Sequence, residues 1–310
     1  MKMIFMGTSS FARPSLQALV DAGHEVAAVV TQPDKPQGRG QKLAPPPVKE
    51  LARSLGLPVL QPTKIREEGA IQALRALEPE LAVVVAYGQL LPKAVLELPA
   101  RGCMNLHGSL LPQYRGAAPI AWAILKGEKE TGVTTMLIAE AMDSGPVLLQ
   151  ESTPIREEDT AGSLHDRLAE IGARLLVKTV AEFGGGRLLP RPQDHEKATY
   201  APKLQKSDGL IDWGRSCRQI YNQIRGLDPW PGAYTCLKGE VLKIWSARPV
   251  EEARGGEAGE VLSEDDLGIL VQAGEGALLV RELQPENRRR MRTKEYLAGH
   301  PLPPRARFGE

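Results

Sequence analysis

Through the first part of the chain, short apolar runs alternate with longer amphipathic stretches, and no other feature constrains the fold so tightly. The runs cover residues 3–6, 26–30, 59–60 and 81–86. They carry almost no polar side chain, so as strands they need cover on both faces. The stretches between them, 11–22, 48–55 and 65–77, have helical spacing, the first with Pro14 in its opening turn and Gly23 at its end. Strands and helices in this alternation build a parallel sheet with helices on both sides. Further strands are expected at 104–107 and 133–139, and further helices at 118–125 and 163–183. Residues 1–183 are therefore predicted to form an α/β domain with a doubly wound, largely parallel, Rossmann-like sheet.

The pattern breaks at Gly184-Gly185-Gly186. Residues 184–202 combine those glycines with Pro190, Pro192 and mixed charges, and read as a linker. Beyond it, five short alternating runs at 233–237, 242–247, 259–262, 268–272 and 277–283 are separated by turn residues, with a helix at 216–225 ahead of them. That spacing predicts a small β-barrel of the oligonucleotide-binding type over residues 203–310.

A chain of 310 residues that is 42% hydrophobic and 25% charged has enough apolar matter for two such cores, and it is neither disordered nor fibrous in composition. Its 39 basic residues against 38 acidic ones give a net charge of +1, so any nucleic acid must be met by local charge. Cys103, Cys217 and Cys236 are too scattered for a disulfide framework or a cysteine metal site. The five histidines include no HxH or HxxxH pair, and no metal is expected. The apolar stretch at the N-terminus is too short for a signal sequence, and no run approaches the ~18 apolar residues of a membrane span. The expectation is a cytoplasmic protein with no membrane partner. The first strand runs into Gly7-Thr8-Ser9-Ser10-Phe11 rather than GxGxxG, and no GxxxxGK[ST] occurs. Neither a dinucleotide nor a nucleoside triphosphate is the expected ligand.

The densest chemistry lies in Asn105-Leu106-His107-Gly108-Ser109-Leu110-Leu111-Pro112-Gln113-Tyr114-Arg115-Gly116. On a strand, Asn105 and His107 point to one face and Leu106 to the other. Gly108 and Ser109 end that strand, leaving an amide and an imidazole at a carboxyl edge, where open α/β sheets hold their ligands. An Asn-x-His pair can equally satisfy local backbone groups. Downstream, Asp143 stands in the tight turn Ala141-Met142-Asp143-Ser144-Gly145-Pro146 directly after an apolar strand. It is either a turn former or the third member of an acid–base set.

These residues resemble the folate-dependent formyltransferases, and the resemblance extends over nearly the whole chain. Gly7-Thr8-Ser9-Ser10-Phe11-Ala12, Thr31-Gln32-Pro33-Asp34, Ala86-Tyr87-Gly88, Lys203-Leu204, Gly209-Leu210-Ile211-Asp212-Trp213 and Asp228-Pro229-Trp230-Pro231-Gly232-Ala233 are similar to motifs of the methionyl-tRNA formyltransferase family. The resemblance implies formyl transfer from 10-formyltetrahydrofolate to the amino group of methionine on initiator tRNA. It implies catalytic roles for Asn105, His107 and Asp143. It places folate against Ser109, Leu110, Leu111 and Pro112, with Tyr87 and Gly88 at the neighbouring strand end, and it implies a monomer.

The long loop 32–47 carries Lys35, Arg39 and Lys42 against Asp34 alone. Such a loop is either a solvated insertion or functional; the family resemblance implies that it enters the tRNA acceptor stem, with Arg39 foremost. Residues 200–248 hold 8 basic and 4 acidic side chains, and residues 281–310 repeat that ratio, which assigns tRNA binding to the barrel as well. A sugar-nucleotide formyltransferase and a non-catalytic RNA-binding protein are the alternatives.

Overall fold

A computed structural model describes residues 1–37, 42–252 and 255–309. The chain divides into two compact units. The first comprises Met1–Gly116, Glu130–Thr153 and His165–Tyr200, and the second Ala117–Lys129, Pro154–Leu164 and Ala201–Glu310.

The first unit is built on seven strands: β1 (Lys2–Gly7), β2 (Glu25–Val30), β3 (Val59–Leu60), β4 (Leu81–Val85), β5 (Cys103–His107), β6 (Glu130–Leu137) and β7 (Val147–Pro154). Their order in the sheet is β7-β6-β5-β4-β1-β2-β3. Pairing is parallel from β3 across to β5 and antiparallel between β5 and β6. Successive β1 residues Met3, Ile4, Phe5 and Met6 are all buried, as cover on both faces requires. The chain moves outward from β1 through β2 to β3, then returns to place β4 on the other side of β1. That reversal is the topological switch point, where α/β sheets open a crevice at the strand ends. Helix α1 (Arg13–Asp21) and helix α2 (Pro47–Ser54) stop in the same way. Gly23 and Gly56 take φ of +75° and +68°. The amides of His24 and Leu57 reach back to the carbonyls of Leu19 and Ala52, the Schellman pattern that satisfies the last turn.

Local differences from the sequence reading concern the site. The stretch 32–47 is a β-ribbon for part of its length: Lys35–Gln37 pairs antiparallel with Lys42–Ala44. The stretch expected as a linker runs against the first unit, where Arg191 exchanges main-chain hydrogen bonds with Val147 and Gln193 is buried. β7 had no counterpart among the expected strands. Its buried residues are Val147, Leu148 and Thr153, and between them Gln150, Glu151 and Ser152 carry polar side chains.

The second unit holds β8 (Ala233–Leu237), β9 (Glu240–Val250), β10 (Val261–Asp265), β11 (Gly268–Gln272) and β12 (Ala277–Pro285), in the antiparallel order β8-β9-β12-β11-β10. The edge strands are bridged by residues 306–309. Gly309 donates to the Cys236 carbonyl on β8, while Val261 at the start of β10 donates to the Ala306 carbonyl. The sheet thereby closes on itself around Leu242, Ile244, Val271, Val280 and Leu283. Helix Cys217–Gly226 adds Ile220 and Ile224 to this core. Its first turn is fixed by a capping box in which Ser216 Oγ accepts from the Gln219 amide and the Gln219 side chain from the Ser216 amide. Such a cap is worth about 1 kcal/mol.

Candidate active site

β5 positions two of the expected catalytic residues. Leu106 faces the long helix Ala161–Gly184, where a Cβ on Gly172 would stand 2.7 Å from its methyl. Asn105 and His107 point the other way. Asn105 is half-buried, and its side-chain amide takes no partner among the described residues. His107 is buried; its Nε2 lies 2.9 Å from the Tyr114 carbonyl and its Nδ1 3.7 Å from Asp143 Oδ2. A carbonyl oxygen can only accept, so Nε2 carries a proton.

Asp143 reaches this place through an unusual turn. Its φ is +48°, a region L-residues visit at a cost and Asp or Asn more readily than most. Two residues on, a Cβ at Gly145 would lie 1.8 Å from the Leu137 carbonyl, so only glycine lets the turn fold back onto β6. Asp143 Oδ2 accepts the Gly116 amide at 2.8 Å. Oδ1 has no partner among the described residues. His107 and Asp143 are thus brought together, with Asn105 on the His107 face of the same strand; the Asn105 amide and Asp143 Oδ1 have no partner among the described residues.

The stretch from Ser109 to Pro112 is held from within. Ser109 is buried; its hydroxyl donates to the Gln113 carbonyl at 2.6 Å, and its own carbonyl accepts from Thr134 Oγ1 at 2.6 Å. Thr134 Oγ1 also accepts from the Leu111 amide, and Gln150 Nε2 donates to the Leu111 carbonyl at 2.9 Å. Leu110 rests on Gly132. This is a wall of fixed shape whose four carbonyls are already engaged. Sequence reasoning did not single out Thr134 or Gln150. The signal for Thr134 was a pair of hydroxyls, Thr134 and Thr135, inside a run otherwise apolar from Val133 to Ala139.

Across the switch point, Thr8 Oγ1 donates to the Tyr87 carbonyl at 2.7 Å, and the Gln32 amide donates to Thr8 Oγ1 at 3.3 Å. The ends of β1, β2 and β4 are thereby tied together. The Tyr87 ring does not line the crevice. It is packed with Ile4, Met6, Val30 and Ile65, its hydroxyl without a partner among the described residues, and burial pushes its pKa up to about 12. Only the main chain of Tyr87 and Gly88 is available at the edge. Of the expected tRNA residues, Lys35 is exposed on the β-ribbon, Lys42 pairs with Gln37 on its other strand, and Arg39 lies outside the described residues. The ribbon is anchored at its base: buried Lys49 Nζ meets both Asp34 oxygens at 2.7 Å, and Gln61 donates to Asp34 Oδ1 at 2.8 Å. The Gln61 amide and the Lys49 ammonium hold the Asp34 carboxyl below the usual range.

A formyl transferase family model matches residues 1–180, and its C-terminal-domain counterpart matches residues 203–301. A methionyl-tRNA formyltransferase of Moorella thermoacetica is 54% identical over 304 residues, covering 98% of each chain. The chain belongs to the methionyl-tRNA formyltransferase family. Solved structures outside this family share the fold at low identity. An N-formyltransferase from Helicobacter canadensis, in complex with folinic acid and dTDP-3-aminofucose, superposes with a TM-score of 0.67 at 19% identity, covering 92% of this chain and 99% of its own. HypX from Aquifex aeolicus, in complex with tetrahydrofolic acid, gives 0.66 at 20% identity, covering 95% of this chain and 46% of its own. Membership of the methionyl-tRNA formyltransferase family accounts for both halves of the chain, the sheet with its strand-end residues and the closed antiparallel unit that follows. Among the described residues no cluster of three or more His, Cys, Asp or Glu could hold a metal, and no helix is long and apolar enough to cross a membrane.

Proposed function

We infer that the chain transfers the formyl group of 10-formyltetrahydrofolate to the α-amino group of methionyl-initiator tRNA, acting as a cytoplasmic monomer. The observation that carries this reading is the His107–Asp143 pair beside an uncommitted Asn105 at the end of β5, in a chain 54% identical to a methionyl-tRNA formyltransferase.

The residues divide the chemistry between them. The amine must attack as its free base, and the open Asp143 Oδ1 is the oxygen that takes its proton, directly or through water. As the nitrogen bonds to the formyl carbon, negative charge grows on the formyl oxygen. Asn105 Nδ2 is free to donate there, an interaction worth about 10²–10³ in rate in comparable sites. His107 Nε2–H is engaged by the Tyr114 carbonyl, so the ring must exchange that partner for the substrate. With Nδ1 also protonated toward Asp143, it can then give the Nε2 proton to the folate nitrogen as the C–N bond breaks, leaving a neutral imidazole, tetrahydrofolate and the N-formyl product. The proton that Asp143 took from the amine then restores the ring. The imidazole faces a carboxylate as in the hydrolase triads, but among the described residues no serine or cysteine hydrogen-bonds to it. Cys103 is buried and pushed up to about 12.

Folate binding rests on shape. The stretch Ser109, Leu110, Leu111 and Pro112 supplies a fixed wall, and the main chain of Tyr87 and Gly88 the opposite edge. We assign residues 1–183 to catalysis, residues 184–202 to a connection that also runs against the first unit, and residues 203–310 together with Lys35, Arg39 and Lys42 to tRNA. Formyl transfer should be compared with methionyl-initiator tRNA and a UDP-amino sugar as acceptors. Transfer to the tRNA alone supports the assignment. Transfer to the sugar alone keeps the chemistry but discards tRNA as the substrate.

A further inference from the structure

We propose that Gln193 is a positioning residue for Asp143, holding the turn that presents its carboxylate to His107. The proposal rests on the catalytic reading of Asp143 given above.

Gln193 is 7% exposed, and its polar capacity is divided between that turn and Arg115. Its Nε2 donates to the carbonyl of Asp143 at 2.8 Å and to that of Gly145 at 2.7 Å. Its Oε1 accepts from Arg115 Nε at 3.2 Å and Nη2 at 2.7 Å. A guanidinium has no acceptor, so the amide has one admissible orientation: oxygen toward Arg115, nitrogen toward the turn. Arg115, itself 4% exposed, thus dictates which way Gln193 faces. Its neighbour Gly116 supplies the amide that holds Asp143 Oδ2 at 2.8 Å. The turn is gripped twice from one side, through its carbonyls by Gln193 and through the carboxylate by Gly116.

Such a grip is needed because the Asp143 backbone is left-handed. A non-glycine residue keeps that conformation only where its surroundings over-determine it. Releasing the two carbonyls lets the turn relax toward ordinary backbone angles and swings the carboxylate away from His107 Nδ1. Gln193 touches neither His107 nor the open Oδ1, so it acts through Asp143.

The test uses the full-length enzyme and two variants. Gln193→Glu keeps an acceptor for Arg115 but sets an oxygen against the two turn carbonyls; Gln193→Met keeps the volume and loses every hydrogen bond. Both should lower kcat about ten- to a hundredfold, as a displacement of order 1 Å does in other sites. KM for folate and for tRNA should stay within about twofold of wild type. In an Asp143→Asn background, Gln193→Met should add little further loss, because the two residues act as one unit. Unchanged kcat in Gln193→Glu overturns the proposal. So does a full, additive loss from Gln193→Met on top of Asp143→Asn, which would mark a role independent of the carboxylate. Should Gln193→Met fail to fold, Gln193→Glu still decides, with its melting temperature as the control. Full activity of Asp143→Asn alone would sink the catalytic reading of Asp143 itself, an outcome distinct from failure at Gln193.

Discussion

Asp143 Oδ2 stands 3.7 Å from His107 Nδ1 while it accepts the Gly116 amide at 2.8 Å. The distance to the imidazole is longer than a hydrogen bond, whereas the amide contact is a good one. The carboxylate is therefore anchored by main chain and faces the ring as a nearby charge, with Oδ1 open. Asp143→Asn keeps the shape and removes the proton acceptor. It should lower kcat by about two or more orders of magnitude, with tRNA affinity nearly intact. His107→Ala should behave alike. Steady-state kinetics with separate tRNA-binding measurements check this; lost affinity at unchanged kcat would contradict it.

Gly145→Ala tests the turn from its other side. The added methyl would collide with the Leu137 carbonyl at 1.8 Å, so the turn must move. A lower melting temperature is expected together with a fall in kcat steeper than that of a surface alanine. Normal kcat in the Gly145→Ala enzyme would show that the turn tolerates displacement.

Tyr87 carries a buried hydroxyl without a partner among the described residues. Replacing such a group by hydrogen is neutral or stabilising. Tyr87→Phe should keep folate affinity and melt no lower than wild type. Because burial raises the folded pKa to about 12, Tyr87 supports the native state fully below the ordinary value of about 10, and this support is lost as pH rises through the folded one. Thermal melts across the alkaline range should therefore decline less in Tyr87→Phe. A loss of folate affinity would instead give the hydroxyl a binding role.

The β-ribbon makes a prediction at acid pH. Asp34 is depressed by Gln61 and Lys49, so its contribution to stability is complete above the ordinary aspartate value of about 3.9 and is lost as pH falls through its own lower value. Asp34→Asn should remove that acid-sensitive part and raise KM for tRNA while leaving KM for folate unchanged. Equal tRNA kinetics in the variant would separate the ribbon from tRNA recognition.

Arg39→Ala should weaken tRNA binding and reduce the slope of log affinity against log salt by about one, if Arg39 meets a phosphate. Titration of tRNA at several salt concentrations reads both effects. An unchanged slope with altered tRNA selectivity would point to a base contact.

Much of this architecture was legible because burial writes itself into periodicity. Val59–Leu60, Ala233–Leu237 and Gly268–Gln272 occupy the bounds their apolar patterns predict. Asn105 and His107 could be placed on one face by counting along a strand. β7 was missed because its middle residues are polar and unburied, which breaks the apolar signal after Leu149. The ribbon at Lys35–Gln37 was missed because main-chain pairing with little burial leaves no apolar alternation. Gln193 could not be found in this way. Its importance lies in two carbonyls and a guanidinium far away in sequence, and an isolated amide among prolines carries no trace of them. Tyr87 illustrates the converse: the resemblance set it at the strand end beside the ligand, and its ring is drawn into the core, leaving only main chain there.

Residues 306–309 supply a main-chain seam between β8 and β10. Cut away, they would bare two sheet edges at once, each a row of amides and carbonyls able to pair with another molecule. A frameshift or clipped tail there should then declare itself first as self-association, before any deficit in the strand-end chemistry.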